Sequence, residues 1–482
     1  MRSSVQWERG LHNRRRFLRH AAYAGGGVLV GASGLNLISP LFLREHLAVE
    51  PNVSYWARSQ APLNPQLEEN LAVDVAIIGG GLTGLSAAYF IRKVSPERSV
   101  VVLEAQGCGN GASGRNGAMV LTMTADRFMN FSADPSLDKN LYALTADNIR
   151  GIAALSAATG IDCELRAQGA LQVFASHEEA RTAQEYVRRA RPLGMPVEYW
   201  DASQTAAAIG TEAYAGGYFD PNGGHIHPMK LVHVFKTAAE SLGARIYENT
   251  VVQNVEAGRE HRLQLSSGHE VRAKSLVLAT NAFTPNLGFF RNSILPLREN
   301  VAITRPLSEE ELAAIGWRSQ VPFNDSRTLV YYFGLTADRR IHIGGGRPRY
   351  NFNNAGTDNS ADARDRELLL HRELLRVFPK LTGVDFEAMW DGVIDWSLDA
   401  SPSVGYTGRY GNIYYGLGYS GHGVNLTSVF GRIIADLHAG RESAWRQFPF
   451  VNARLDYVPN EPFRWLAAES ALAWYKLTDS GA

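Results

Sequence analysis

Only two cysteines occur in 482 residues, Cys108 and Cys163. Their spacing makes no disulfide framework and no thiolate metal centre, so two buried thiols are expected. Neither sign of charge is in excess, with 48 Lys plus Arg against 48 Asp plus Glu. That balance lacks the basic footprint of a nucleic-acid-binding protein. The chain shows no internal repeat, no low-complexity tract, no Ser/His/Asp pattern and no metal-ligand spacing. Glycine is plentiful at 46 residues, and three clusters of it carry the reading.

Residues 74–84 read DVAIIGGGLTG. A β-branched apolar run stops at glycines, a helix-compatible stretch follows over 85–91, and a second apolar run, 100–103, ends in Glu104. This strand–turn–helix–strand pattern with a terminal acid is the dinucleotide-binding fingerprint. Gly79 permits the turn, Gly81 lets backbone approach a pyrophosphate, and Gly84 lets helix and strand pack closely. Leu82 and Thr83 open a helix whose free N–H groups face the phosphates. Glu104, followed by Ala105, is placed to hold ribose hydroxyls and repels a 2′-phosphate. FAD or NAD therefore fits and NADP does not.

The second cluster, residues 111–117, reads GASGRNG. Ser113, Gly114, Arg115, Asn116 and Gly117 can run along a diphosphate and ribityl chain, with Arg115 or backbone amides balancing charge. The third, residues 418–424, reads GYSGHGV. A strand ends, the chain turns, and a helix begins, so Gly421, Gly423 and Val424 present backbone N–H groups at a helix N-terminus. Beside a reduced flavin that terminus is worth about 1–2 kcal/mol of charge stabilisation. His422 is a candidate for contact with flavin or substrate, and equally for a turn histidine that satisfies backbone.

The N-terminus reads NRRRFLR at residues 13–19, followed by no formal charge over 20–43. Adjacent arginines before a weakly apolar, glycine-containing stretch make a twin-arginine export signal. The stretch is long enough to span a bilayer. Left uncleaved it would anchor the protein to the inner membrane, with the arginines cytoplasmic and the folded part periplasmic. The twin-arginine export machinery and the membrane are thus expected partners.

Three further segments complete a resemblance. They are SYWA at 54–57, GGHIHP at 223–228, and YYFGLTAD at 331–338 with GGG at 344–346; NIYY at 412–415 then leads into the histidine turn. With the glycine clusters they resemble the glycine/D-amino acid oxidase family of FAD enzymes, most of all its γ-glutamylputrescine oxidoreductase branch. The resemblance implies FAD and oxidation of a C–N bond in an amine or amino acid by hydride transfer to flavin N5; because Cys108 and Cys163 lie away from the C-terminal region, the FAD is expected to be non-covalent, with attachment through a histidine left open. It implies that Val252, Thr280 and Asn281 lie near the adenosine half. His422, Tyr331 and Trp390 are the candidate catalytic residues, the last two as the lining of the substrate pocket. Electrons would pass to oxygen or to a respiratory acceptor. The rival readings are an exported amino-acid dehydrogenase or deaminase feeding the respiratory chain, and a flavin-binding subunit without turnover.

The expected fold is α/β with two lobes: a Rossmann-type FAD-binding lobe, and a discontinuous antiparallel-sheet substrate lobe. The expected division is signal or anchor 1–48, linker 49–71, FAD lobe 72–126, substrate lobe 127–224, FAD lobe 225–285, substrate lobe 286–384, FAD lobe 385–440 and a C-terminal extension 441–482. That extension carries Phe463, Leu466, Ser470, Trp474 and Leu477 on one helical face. The face is expected to pack back on the protein, because the positive charge of a membrane-surface helix is missing.

Overall fold

The computed structural model describes residues 54–352 and 360–479. The arginine cluster and the export segment lie outside the described residues. One lobe is built on a sheet in which Leu71–Ile78 is central. It pairs in parallel with Val100–Leu103 on one side and Glu270–Leu278 on the other. Arg245–Tyr247 and Ile413–Leu417 extend the parallel set, and Ser403–Thr407 closes one edge antiparallel.

The continuous apolar run in the central strand follows from burial on both faces. Val75 and Ile77 face a cluster containing Leu82, Leu85, Phe430 and Ile434 from the helices Leu82–Val94 and Gly423–His438. Ala76 and Ile78 face Leu263, Leu265 and Leu276 on the other side. The two helices cross closely because a Cβ at Gly431 would stand 2.2 Å from Ser86 Oγ. Gly84 has the matching role at the strand, where a Cβ would stand 2.0 Å from the Gly79 carbonyl oxygen.

The second lobe is an eight-stranded mixed sheet. Its order runs Phe386–Trp396, Leu295–Thr304, Ile341–Gly345, Tyr331–Leu335, Phe323–Asp325, Ala170–Phe174, Gly216–Asp220, Glu198–Asp201. All its pairings are antiparallel except that of Phe323–Asp325 with Ala170–Phe174. Chain segments from both sides of residue 245 feed each lobe, so the lobes are interleaved in sequence.

Two expectations about the division change. Phe386–Trp396, expected in the FAD lobe, is an edge strand of the second sheet and pairs with Leu295–Thr304 along their length. It still reaches the other lobe, where its Asp391 carbonyl accepts from Arg115 at 2.9 Å and Asp395 accepts from the Gly418 N–H at 2.6 Å. Residues 54–70, expected as linker, are packed: Trp56 is 1% exposed, and its Nε1 donates to the Asn116 carbonyl at 3.0 Å. In the segment 127–160 the chain forms the helix Pro135–Thr159, capped by Asp134. Both cysteines are buried and free. No helix among the described residues is long and apolar enough to cross a membrane.

The C-terminal helix Phe463–Asp479 does pack back, but through Arg464, Ala468 and Ala471. Alanines let it lie close over Leu297 and Tyr350. Leu466 and Trp474, on the face expected to bury, are each 50% exposed.

Candidate active site

A cleft of about 1520 Å³ runs along the carboxyl ends of the parallel strands, the place where open α/β sheets hold nucleotides. Fifteen of the expected cofactor residues line it: Gly79, Gly81, Leu82, Thr83, Glu104, Ala105, Ser113, Arg115, Asn116, Val252, Thr280, Asn281, Gly421, Gly423 and Val424. Gly84 and Gly114 do not line it. Both are packed against the backbone of the turns that shape it, Gly114 with its Cβ position 2.4 Å from the Gly109 carbonyl oxygen. Gly117 lines a neighbouring chamber instead.

The cleft fits a dinucleotide on its own geometry. The helices beginning at Pro135, His177, Ala202, Pro228 and Glu309 are each capped by the side chain before them. Neither helix that opens on the cleft has a cap from its own N-cap residue, which is Gly81 in one and His422 in the other. Their free N–H groups therefore point where an anion or a carbonyl oxygen would sit. A Cβ at Gly81 would meet Ser113 Oγ at 2.9 Å, so a side chain there closes the approach.

The polar side chains of the cleft are used differently from expectation. Ser113 Oγ accepts from the Leu82 N–H at 2.9 Å. Asn116 closes its own loop, donating to the carbonyls of Ala112 and Ser113 and accepting from Ala118. Arg115 donates to the Asn110 and Asp391 carbonyls at 2.7 and 2.9 Å. It thereby ties this loop to the second lobe. Glu104 accepts from the N–H groups of Gly80 and Gln106, and burial raises its pKa above the usual carboxylate range.

The second cavity is a chamber of about 660 Å³, the size of a small-molecule site. It shares Ala112, Arg115, Asn116, Gly392, Ile394, Gly421 and Val424 with the cleft. One wall is the second sheet, and the C-terminal helix contributes Ala467, Ala471 and Leu472. Three polar atoms on the wall are buried without a protein partner: Gln172 Oε1, Glu299 Oε2 and His422 Nε2. Such atoms cost free energy unless something else satisfies them. Their convergence on one chamber marks a site for a polar ligand.

His422 lines this chamber, with Phe128 at 5.4 Å ring to ring. Burial depresses its pKa to about 4, so the ring is neutral at neutral pH. Tyr331 and Trp390 do not line it. Tyr331 points into the core of the second lobe, under the Arg327 guanidinium at 4.3 Å. Strand side chains alternate faces, and the next residue, Tyr332, is the one that lines the chamber. Trp390 lies beneath the floor, where its Nε1 donates to the Arg115 carbonyl at 2.9 Å and its ring packs edge-on to Trp56.

Sequence reasoning missed Tyr332, Gln172 and Glu299. A signal for the last was present. Leu295, Leu297, Glu299 and Val301 share one strand face and all line the chamber. A carboxylate stands there where alternation asks for an apolar residue.

The comparisons with known proteins agree with this geometry. The family model described as FAD dependent oxidoreductase (DAO) matches residues 74–437. Gamma-glutamylputrescine oxidoreductase of Escherichia coli K12 is 31% identical over 434 residues, covering 85% of this chain and 96% of that protein. Glycine oxidase of Geobacillus kaustophilus is 25% identical over 79% of this chain and 97% of its own length. The crystal structure of that glycine oxidase superposes with a TM-score of 0.67 at 23% identity, over 80% of this chain and 99% of the other. L-amino acid deaminase from Proteus myxofaciens, solved with anthranilate, gives 0.64 at 15% identity over 82% of this chain and 96% of the other, a likeness of fold. A glycine-lined cleft, two helix ends without a cap from their own N-cap residue and an adjoining chamber thus meet a family match over most of the chain, which belongs to the DAO family of FAD-dependent oxidoreductases acting on amines or amino acids.

Proposed function

We propose that the protein oxidises the carbon–nitrogen bond of a cationic amine rather than of an α-amino acid. The observation that carries this reading is the charge on the chamber wall. Asp126, Glu179, Glu299, Asp325 and Asp399 face three guanidiniums, those of Arg115, Arg327 and Arg464. An α-amino acid needs a cation for its carboxylate. Arg115 is engaged by two carbonyls, Arg327 by Asp325 and Glu373, and Arg464 by the carbonyls of Pro459 and Arg291. An ammonium entering the chamber meets more acidic than basic side chains instead.

The residues that would hold FAD are the glycines and helix ends of the cleft, with the reactive ring system where cleft and chamber meet. Bound there, FAD supplies a two-electron acceptor for hydride. The wall of Leu295, Leu297, Val301 and Ile394 excludes water, which disfavours the charged form of the amine. Tyr332 is wedged between Gly117 and Gly344, whose Cβ positions would each stand 2.2 Å from its ring. That wedge fixes the chamber's width next to the loop.

Anaerobic mixing of FAD-loaded protein with butylamine, 1,4-diaminobutane, γ-glutamylputrescine and a set of amino acids tests the reading. Amines are expected to bleach the flavin, and amino acids to do so at least about 100-fold more slowly, for want of a carboxylate partner. Faster bleaching by amino acids overturns the preference. Bleaching by none identifies a flavin-binding subunit. Admitting air then separates an oxidase, whose colour returns at once, from a dehydrogenase that needs a respiratory carrier. We propose further, from the arginines and the uncharged stretch at residues 13–43, that the enzyme works in the periplasm.

A further inference from the structure

Glu299 stands apart from the other carboxylates of the chamber. Asp325 is paired with Arg327 and accepts from the Tyr331 N–H at 3.0 Å. Asp126 accepts from Thr124 at 2.7 Å and lies beside Arg127. Glu179 accepts from the Ser176 and Ser326 hydroxyls at 3.2 and 3.0 Å. Asp399 accepts from the Ser401 N–H at 3.0 Å. Glu299 has no such partner among the described residues, and its Oε2 has no contact with solvent. It is flanked on its strand face by Leu297 and Val301.

Its place matters as much as its isolation. Glu299 pairs across the sheet with Gly392. Gly392 lies on the boundary between cleft and chamber, where a Cβ would stand 3.0 Å from Arg115 Cβ. The carboxylate is therefore next to the junction where reaction occurs, not at the far end of the chamber. From the neighbouring elements, the titratable groups that share this wall are Tyr332 two strands along the same sheet, His422 at the turn and Arg115 at the junction. Tyr332 and His422 are neutral at neutral pH, since burial raises the one and lowers the other. Arg115 is turned to the Asn110 and Asp391 carbonyls.

We infer that Glu299 is the catalytic base that takes the proton of the incoming substrate ammonium and so delivers a neutral amine to the site of oxidation. The inference rests on the amine reading above and names the residue that makes it work. The step balances: R–CH2–NH3⁺ and the Glu299 carboxylate become R–CH2–NH2 and the neutral carboxylic acid. One N–H bond breaks, one O–H bond forms, and no electrons are gained or lost. The chamber drives the transfer. Apolar surroundings disfavour an ammonium and a carboxylate alike, and moving the proton removes both charges at once. The freed lone pair on nitrogen is what allows the adjacent carbon to give up hydride. Burial has already pushed the Glu299 carboxyl up to about 8, close to working pH, where a general base is most effective.

The test is stopped-flow reduction of the FAD-loaded wild type, Glu299→Gln and Glu299→Asp by butylamine and 1,4-diaminobutane across pH 6–11. In the wild type, apparent second-order reduction should rise through a midpoint near the carboxyl's own, about 8. In Glu299→Gln only amine already neutral in solution can react. The midpoint should move to that of a free alkylamine, about 10.4, and the rate at pH 8 should fall at least about 100-fold. Glu299→Asp should restore the lower midpoint with part of the rate. Unchanged visible flavin spectra in the variants establish that cofactor and fold are intact. A Glu299→Gln profile that superposes on the wild type overturns the assignment alone. Failure of any amine to reduce the wild type overturns the amine reading and the assignment with it. A rate loss in Glu299→Gln with no movement of the midpoint assigns Glu299 to packing and also overturns it.

Discussion

One residue decides which way a strand side chain works, and the tandem tyrosines show it. Tyr331 and Tyr332 sit in the same motif, and the sequence alone gives no reason to prefer either. The ladder settles it: Tyr332 pairs with Gly344 and points to the chamber, while Tyr331 pairs with Gly345 and points to the core of its lobe. A shift of one residue reverses every face of a strand. Tyr331→Phe should therefore leave amine-dependent flavin bleaching within about twofold of wild type, since surface and non-contact substitutions rarely reach the site. Tyr332→Ala removes the wedge between Gly117 and Gly344, and bleaching should slow by at least about tenfold with FAD retained. Stopped-flow bleaching of the two variants checks this, and equal effects would mean that the chamber is not where substrate binds. Glu299 teaches the complementary lesson. It was legible as a break in apolar alternation at 295–301, but strand direction alone could not say what the face looked upon.

The elements most legible in sequence were those whose shape is dictated by backbone. The turn at Gly79 has φ +107° and that at Gly421 has φ +87°, left-handed values that favour glycine. Their spacing to an apolar strand and helix is visible before any folding. The strand Val100–Leu103 lies where the sequence placed it, and the helix Gly423–His438 begins at the expected turn, for this reason. The strand Phe386–Trp396 was misplaced because its lobe depends on a partner more than 80 residues away in sequence, and pairing of that range leaves no local trace. Asp395 was missed likewise. It is fully buried, accepts from the Gly418 and Tyr419 N–H groups and from Asn281, and burial pushes its pKa up to about 7. It holds the turn that presents the helix Gly423–His438 to the cleft. Gly423 is the first residue of that helix, a position proline can occupy; it removes a free N–H and also crowds His422, whose ψ of 26° is disfavoured before proline. A Cβ there makes ordinary contact with Tyr419 at 3.4 Å. Gly423→Pro should keep FAD, while the flavin midpoint potential falls by on the order of 20–40 mV, equivalent to about 1–2 kcal/mol over two electrons. Spectroelectrochemistry reads it, and an unmoved potential with FAD in place would put this helix end away from the charge that develops on reduction.

At the scale of the whole molecule, the cofactor site exists only when the chain is folded. Its lining runs from Ile78 to Asn460 and draws on both lobes, with Arg115 of one held by the Asp391 carbonyl of the other. No fragment of the chain carries the cleft. A bound cofactor stabilises the fold it requires, by about 2.7 kcal/mol at a concentration 100 times Kd. An export route that threads unfolded chain would have to discard that stabilisation and find FAD again outside. We propose that the arginines at 14–16 serve the route that carries folded proteins; a cofactor site complete only in the folded chain is the argument for export of a loaded enzyme. Periplasmic protein should accordingly be yellow, with FAD acquired in the cytoplasm. Changing Arg14, Arg15 and Arg16 to lysine keeps the charge but loses the paired guanidiniums. The variant should stay in the cytoplasm, still folded and still yellow. Cell fractionation with flavin fluorescence after acid release measures both quantities. Export of the lysine variant at wild-type level, or colourless protein in the periplasm, would break the link between the signal and the folded cofactor site.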